Sequence, residues 1–200
     1  MQFWRSQYLK YVMQQIKQNL YVFTPQDGVG QNDILTGSIK IYLTGTVNLA
    51  AQTAWQDKFV TGLSKILETD PRLKGKVISI LDPRMPLQNP QASLDNQEFV
   101  AKTQWELQMM PQSDLIFCNI LKKSKAPSAL YGLLMNAQSQ GKLIIRCPTE
   151  YMMYPLVKMI SDAYQVPLLG DSGTTKQVME LAIQGCPKFQ ENTEFGLEEK

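Results

Sequence analysis

The sequence predicts a doubly wound α/β domain built on a parallel sheet of about four or five strands. Three observations carry this prediction. Four short runs rich in β-branched and aliphatic residues are each followed by a helical stretch, the alternation that βαβ crossovers produce. The 200 residues, 44% hydrophobic and 19% charged, suffice for one core and lack the composition of a disordered chain. The strand runs end at Gly45, Asp82, Asn119 and Cys147, in the loops where an open parallel sheet holds its ligands.

In chain order, Phe3, Trp4, Tyr8, Tyr11, Val12, Ile16, Leu20 and Phe23 recur at threes and fours, which predicts an amphipathic N-terminal helix over Phe3–Phe23. The following TPQDGVGQNDILTGS is rich in Gly, Asp and Asn and reads as a loop, so residues 1–37 form an appendage. The main domain then covers residues 38–170. Within it IKIYLTG (Ile39–Gly45) precedes a helix over Gln52–Thr69, and KVISILDP (Lys76–Pro83) precedes one around Asn96–Met110. LIFCNI (Leu115–Ile120) precedes a helix over Ala129–Gln140, and KLIIRCP (Lys142–Pro148) one over Tyr154–Tyr164. A short fifth strand falls near Val166–Leu169. Residues 171–200 supply a short helix near Thr175–Ile183 and, after Gly185 and Pro187, a loosely held tail carrying Glu191, Glu194, Glu198 and Glu199.

Composition excludes several function classes. A net charge of +2 is far from the basic balance that reading phosphate backbones requires, so no nucleic-acid partner is expected. The chain contains no His, which removes imidazole acid–base chemistry, His-based triads and His metal sites. Cys118, Cys147 and Cys186 are widely spaced and odd in number, suggesting neither a zinc site nor a disulfide framework, and fit a reducing compartment. No metal or cofactor is expected. No apolar run reaches membrane-spanning length, and Arg5, Lys10 and Lys17 interrupt the first thirty residues, so neither signal peptide nor anchor is read.

Several constellations are candidates for chemistry. LTGTVN after the first strand places Gly45 and Thr46 where backbone amides can approach a phosphate or sugar, although Gly45 can equally serve only to turn the chain. DPR puts Asp82 and Arg84 at a strand's carboxyl end, either to meet a small polar ligand together or to form a local ion pair. Asn119 closes the third strand at a loop of the same kind. Glu106, in QWE, lies on a helix whose apolar positions include Phe99, Val100, Trp105, Leu107 and Met110, which leaves Glu106 near the domain's edge. Cys118 follows Phe117 in a buried run with nothing basic beside it, and reads as core.

Taken in order, these segments resemble the nucleoside 2-deoxyribosyltransferase-like family. The features are IYLTGTVN, Trp55 early in the first helix, DPR, QWE, SDLIF opening the third strand, Ala126-Pro127 before a helix, and GKLIIRCP. They span roughly Ile39 to Leu169. The resemblance implies a flavodoxin-like fold and cleavage of a deoxynucleoside N-glycosidic bond by a Glu nucleophile at the start of the helix after the third strand, through a glycosyl-enzyme ester. Here that segment reads APSALYGLLMNAQSQGK. Laid without gaps from Asp114, the nucleophile's position falls on Gly132 and the family's glycine on Leu134; matching Gly132 to that glycine puts the nucleophile on Leu130. A companion Asp falls on Ala126 or Ser124. Glu106 matches an acidic position that helps to hold the nucleoside.

The resemblance thus implies a pocket with a binding group and without its reactive one. The expectation is a non-catalytic domain, with no catalytic residue, acting as a binding or structural module in a larger assembly. Its ligand-binding candidates are Gly45, Thr46, Asp82, Arg84, Glu106 and Asn119, its ligand a nucleoside or nucleotide. The alternative is an enzyme acting at the N-glycosidic bond with a carboxylate such as Glu106, Asp82 or Glu150, or one from a neighbouring subunit. An open cleft at Gly45, Arg84 and Glu106 favours binding, whereas Leu130, Tyr131 or Met135 plugging it favours a scaffold. A protein partner or homo-oligomer is expected through the N-terminal helix, in the cytoplasm or within an intracellularly assembled particle.

Overall fold

Ile78–Leu81 and Leu115–Asn119 are buried at every position. Such continuity is required only of strands covered on both faces. The computed structural model describes residues 19–27, 34–46, 55–85, 92–124, 137 and 142–191. Among them six strands form one all-parallel sheet: β1 (Leu20–Phe23), β2 (Ile39–Gly45), β3 (Ile78–Leu81), β4 (Leu115–Asn119), β5 (Leu143–Arg146) and β6 (Leu168–Leu169). The spatial order is β1-β3-β2-β4-β5-β6. From β2 onward this is the flavodoxin-like order, with the chain reversing direction across the sheet between β2 and β4.

Helices α1 (Trp55–Thr69), α2 (Gln97–Gln112), α3 (Tyr154–Tyr164), α4 (Thr175–Gly185) and α5 (Pro187–Gln190) cover the sheet. Alternation along each strand sorts the core into two clusters. One holds Tyr42, Ile116 and Cys118 with Trp105 and Met109 of α2 and Val157 and Ile160 of α3. The other holds Ile41, Leu43 and Phe117 with Phe59 and Leu63 of α1 and Val178 and Ala182 of α4. Asn96 caps α2, its side chain accepting from the Phe99 N–H at 3.3 Å. None of the helices among the described residues is long and apolar enough to cross a membrane.

The structure corrects three expectations. Leu20–Phe23, expected to close the N-terminal helix, is the edge strand, pairing Leu20 with Ile78 and Phe23 with Leu81. Leu20 and Phe23 suit a helix by spacing, but LYVF is also a strand-forming tetrad. Asn19, at φ 51°, holds the left-handed conformation that Asn tolerates and turns the chain into the strand. The sheet therefore draws on the segment expected as an appendage, while residues 1–18 lie outside the described residues. Leu107, expected on the apolar face of α2, is 68% exposed, and Met109 is buried in its place. The tail is held as far as Glu191: Phe189 is buried, and the Lys76 ammonium donates to the carbonyls of Lys188 and Glu191 at 3.4 and 2.8 Å.

Candidate functional site at the switch point between β2 and β4

At the carboxyl ends of β2 and β4 the two backbones approach more closely than side chains permit. Gly45 adopts φ +123°, and a Cβ there would stand 2.1 Å from the Asn119 carbonyl oxygen. Glycine alone fits both the conformation and the space. The approach is fixed by the Thr46 N–H donating to that carbonyl at 2.9 Å. It is reinforced by the Leu121 N–H donating to Thr46 Oγ1 at 2.9 Å and Trp55 Nε1–H donating to the Thr46 carbonyl at 2.7 Å. Trp55, at the start of α1, stacks edge-on against Phe117 of β4. Gly45, Thr46 and Asn119 therefore come together where the chain reverses across the sheet. The Asn119 side chain is almost wholly buried, and its Oδ1 has no donor among the described residues. Arg146, in register with Asn119, is committed through Nη2 to the Asp171 carbonyl at 2.6 Å.

Asp82 and Arg84 form the local ion pair. The Arg84 N–H donates to Asp82 Oδ1 at 3.0 Å and Arg84 Nε to Oδ2 at 2.8 Å. Arg84 Nη2 bridges to Asp57 Oδ1 on α1 at 2.6 Å. Both oxygens of the buried Asp82 carboxylate are thus occupied by one residue, Oδ1 by the Arg84 backbone N–H and Oδ2 by its guanidinium.

Glu106 is half-buried on α2 and paired with Lys102 one turn earlier. Facing α2 from β2 is Tyr42, a residue that sequence reasoning treated only as part of a strand. Its phenol is driven well above its ordinary pKa by burial and, further, by the charges of Glu106 and Asp82. The hydroxyl therefore stays protonated and neutral. The signal in the sequence was a Tyr inside an otherwise aliphatic strand, IKIYL.

Cys118 is fully buried, and desolvation, aided by Cys147, pushes its thiol up to about 12. Burial and the charge of Asp171 raise Cys147 to about 11. Neither is a ready nucleophile. Glu150 is exposed and takes up Lys122 at 3.5 Å and Thr149 at 3.2 Å. Gly132, Leu134, Leu130 and Ala126, on which the family's acids were laid, lie outside the described residues, as do Tyr131 and Met135. Ser124 is described: it is buried, its N–H donating to the Leu121 carbonyl at 2.9 Å.

No curated protein matches the chain significantly. A family model described as nucleoside 2-deoxyribosyltransferase like matches residues 38–151, more than half of the chain. The matched stretch contains β2 to β5 and the close approach of Gly45 and Thr46 to Asn119. The chain belongs to the nucleoside 2-deoxyribosyltransferase-like family.

Proposed function

We propose that this domain binds a nucleoside or nucleotide at the carboxyl ends of β2 and β4 and does not transfer its 2-deoxyribosyl group. The observation that carries the reading is Asn119 Oδ1, a buried acceptor without a donor at the switch point. Such an atom costs about 1–3 kcal/mol unless a partner arrives, and a ligand hydroxyl or amino group is such a partner. The absence of transfer is supported by the state of the substitute carboxylates. Asp82 is saturated by Arg84, Glu106 is paired with Lys102, and Glu150 is exposed beside Lys122. A glycosyl-enzyme ester needs a carboxylate free to attack C1′.

The test is thermal denaturation of the full chain with nucleosides, nucleotides and free bases, alongside a base-exchange assay. A ligand at 100 times its Kd stabilises by about 2.7 kcal/mol, which for this size is roughly 5–11 °C. A shift of this order with no exchanged product supports the reading. Exchange lost on Glu106→Gln or Asp82→Asn would replace it with the enzyme.

A further inference from the structure

Gly45 on β2, Asn119 on β4 and Arg146 on β5 are successive partners in register, one row across the carboxyl end of the sheet. Two residues earlier their counterparts Phe117 and Ile144 pair in the same way and share one core cluster, so by alternation Asn119 and Arg146 project from the same face. Their strands lie about 4.8 Å apart. Arg146 ends its strand and is only partly buried, so solvent reaches it directly. A guanidinium carries several N–H donors in a fixed fork. Among the described residues one acceptor meets that of Arg146, the Asp171 carbonyl at 2.6 Å from Nη2, and no carboxylate does. Arg84, Lys102 and Lys122 are by contrast paired with Asp82 and Asp57, with Glu106, and with Glu150. We propose that Arg146 is a ligand-binding residue, its guanidinium taking the phosphate of a nucleoside monophosphate whose sugar or base donates to Asn119 Oδ1.

This rests on the reading of the strand ends as a nucleoside or nucleotide site and chooses between the two ligands. Asn119 Oδ1 can only accept and Arg146 can only donate, so a ligand serving both presents a donor and, one strand away, an acceptor. A nucleotide carries sugar hydroxyls or base amino groups for the first and phosphate oxygens for the second. Phosphate is favoured over a neutral oxygen because the planar fork matches it bidentately and no carboxylate competes for the fork. Arg146 is also held before a ligand arrives. The turn over 170–173, closed by the Gly173 N–H donating to the Gly170 carbonyl at 3.0 Å, runs along the side chain: a Cβ on Gly173 would stand 3.3 Å from Arg146 Cδ. An arginine ordered in advance loses less entropy on binding. The amides that open α4 are not the phosphate's cradle, because they close on their own capping box. The Thr174 N–H donates to Gln177 Oε1 at 2.9 Å and the Gln177 N–H to Thr174 Oγ1 at 3.3 Å.

The test is calorimetric titration of the full chain, Arg146→Gln and Arg146→Lys with deoxyribonucleosides, their 5′-monophosphates and inorganic phosphate. Gln keeps an amide that can donate to the Asp171 carbonyl and removes the charge, whereas Lys keeps the charge and removes the fork. The proposal expects the wild type to bind a monophosphate at least tenfold more tightly than its nucleoside, a preference that shrinks as salt rises. In Arg146→Gln the preference should vanish at an unchanged nucleoside Kd, and in Arg146→Lys part of it should remain. A preference that survives in Arg146→Gln, or is missing from a wild type that binds nucleosides, overturns the proposal and leaves the nucleoside reading intact. Nucleoside and monophosphate binding weakened in parallel assigns Arg146 to the scaffold and overturns it likewise. Inorganic phosphate bound as tightly as the monophosphate overturns the nucleotide in favour of a bare anion. Failure of the wild type to bind any nucleoside or nucleotide overturns both readings.

Discussion

Gly45→Ala tests whether the switch-point geometry is as tight as described. At φ +123° an alanine is strained by about 1–3 kcal/mol. Its Cβ would also meet the Asn119 carbonyl oxygen at 2.1 Å and its carbonyl carbon at 2.6 Å. These are backbone atoms of a central strand and cannot swing aside, so β2 and β4 must part. Parting loses the Thr46 N–H bond to Asn119 and strains the Leu121 bond to Thr46, each worth about 1 kcal/mol. The expected loss is about 3–5 kcal/mol, a large share of a typical domain's 5–15 kcal/mol. Chemical denaturation should show it as a lower midpoint at unchanged slope, and heating as a fall in Tm of roughly 6–20 °C. A loss below about 1 kcal/mol would mean that the strands do not approach as described.

Other perturbations read other parts of the molecule. Tyr42 is ordinarily a pKa 10.0 group and is raised in the folded state, so its contribution is complete below pH 10 and is lost as pH rises towards the folded value. Urea midpoints from pH 8 to 11 should fall less steeply in Tyr42→Phe, by up to about 1.4 kcal/mol per pH unit; identical slopes would show that the phenol is not shielded. Cys118, raised to about 12, should resist iodoacetamide at pH 8 in the native protein and react on unfolding, as mass spectrometry reports; rapid native labelling would contradict its burial. Removing residues 1–18, and not β1, is expected to lower the mass seen by light scattering or abolish partner binding while the Tm holds. An unchanged mass and unchanged partner binding with a large loss of Tm would assign the stripe of Phe3, Trp4, Tyr8 and Tyr11 to the protein's own core.

The central fold was legible because both signals that specify it are local. Strand runs such as Ile39–Gly45 and Lys142–Pro148 differ in period from the helices behind them, all four expected strands appear within two residues of their observed ends, and the helix expected over Ala129–Gln140 lies outside the described residues. The edge strand was not legible. Leu20 and Phe23 fit a period of three as well as an extended tetrad, and only pairing with Ile78–Leu81 decides between them. For the site, Gly45 and Asn119 could be placed at strand ends from order alone. Their 2.1 Å confrontation could not, because it depends on which strands neighbour each other. Arg84 shows the same limit: spacing puts it beside Asp82, whereas its second partner, Asp57, comes from a helix 27 residues earlier in the chain. Orphaned atoms such as Asn119 Oδ1 and Trp105 Nε1 leave no trace in sequence, since they are defined by what fails to arrive.

The most direct measurement of the account is a calorimetric titration of the wild-type chain and Asn119→Ala with deoxyribonucleosides, with the Tm of both proteins recorded. The account predicts that the wild type binds at least one nucleoside. Asn119→Ala should bind it at least tenfold more weakly, about 1.4 kcal/mol, at an equal or higher Tm because a buried, unpaired acceptor has gone. Undiminished binding in Asn119→Ala, or no binding by the wild type, would contradict it.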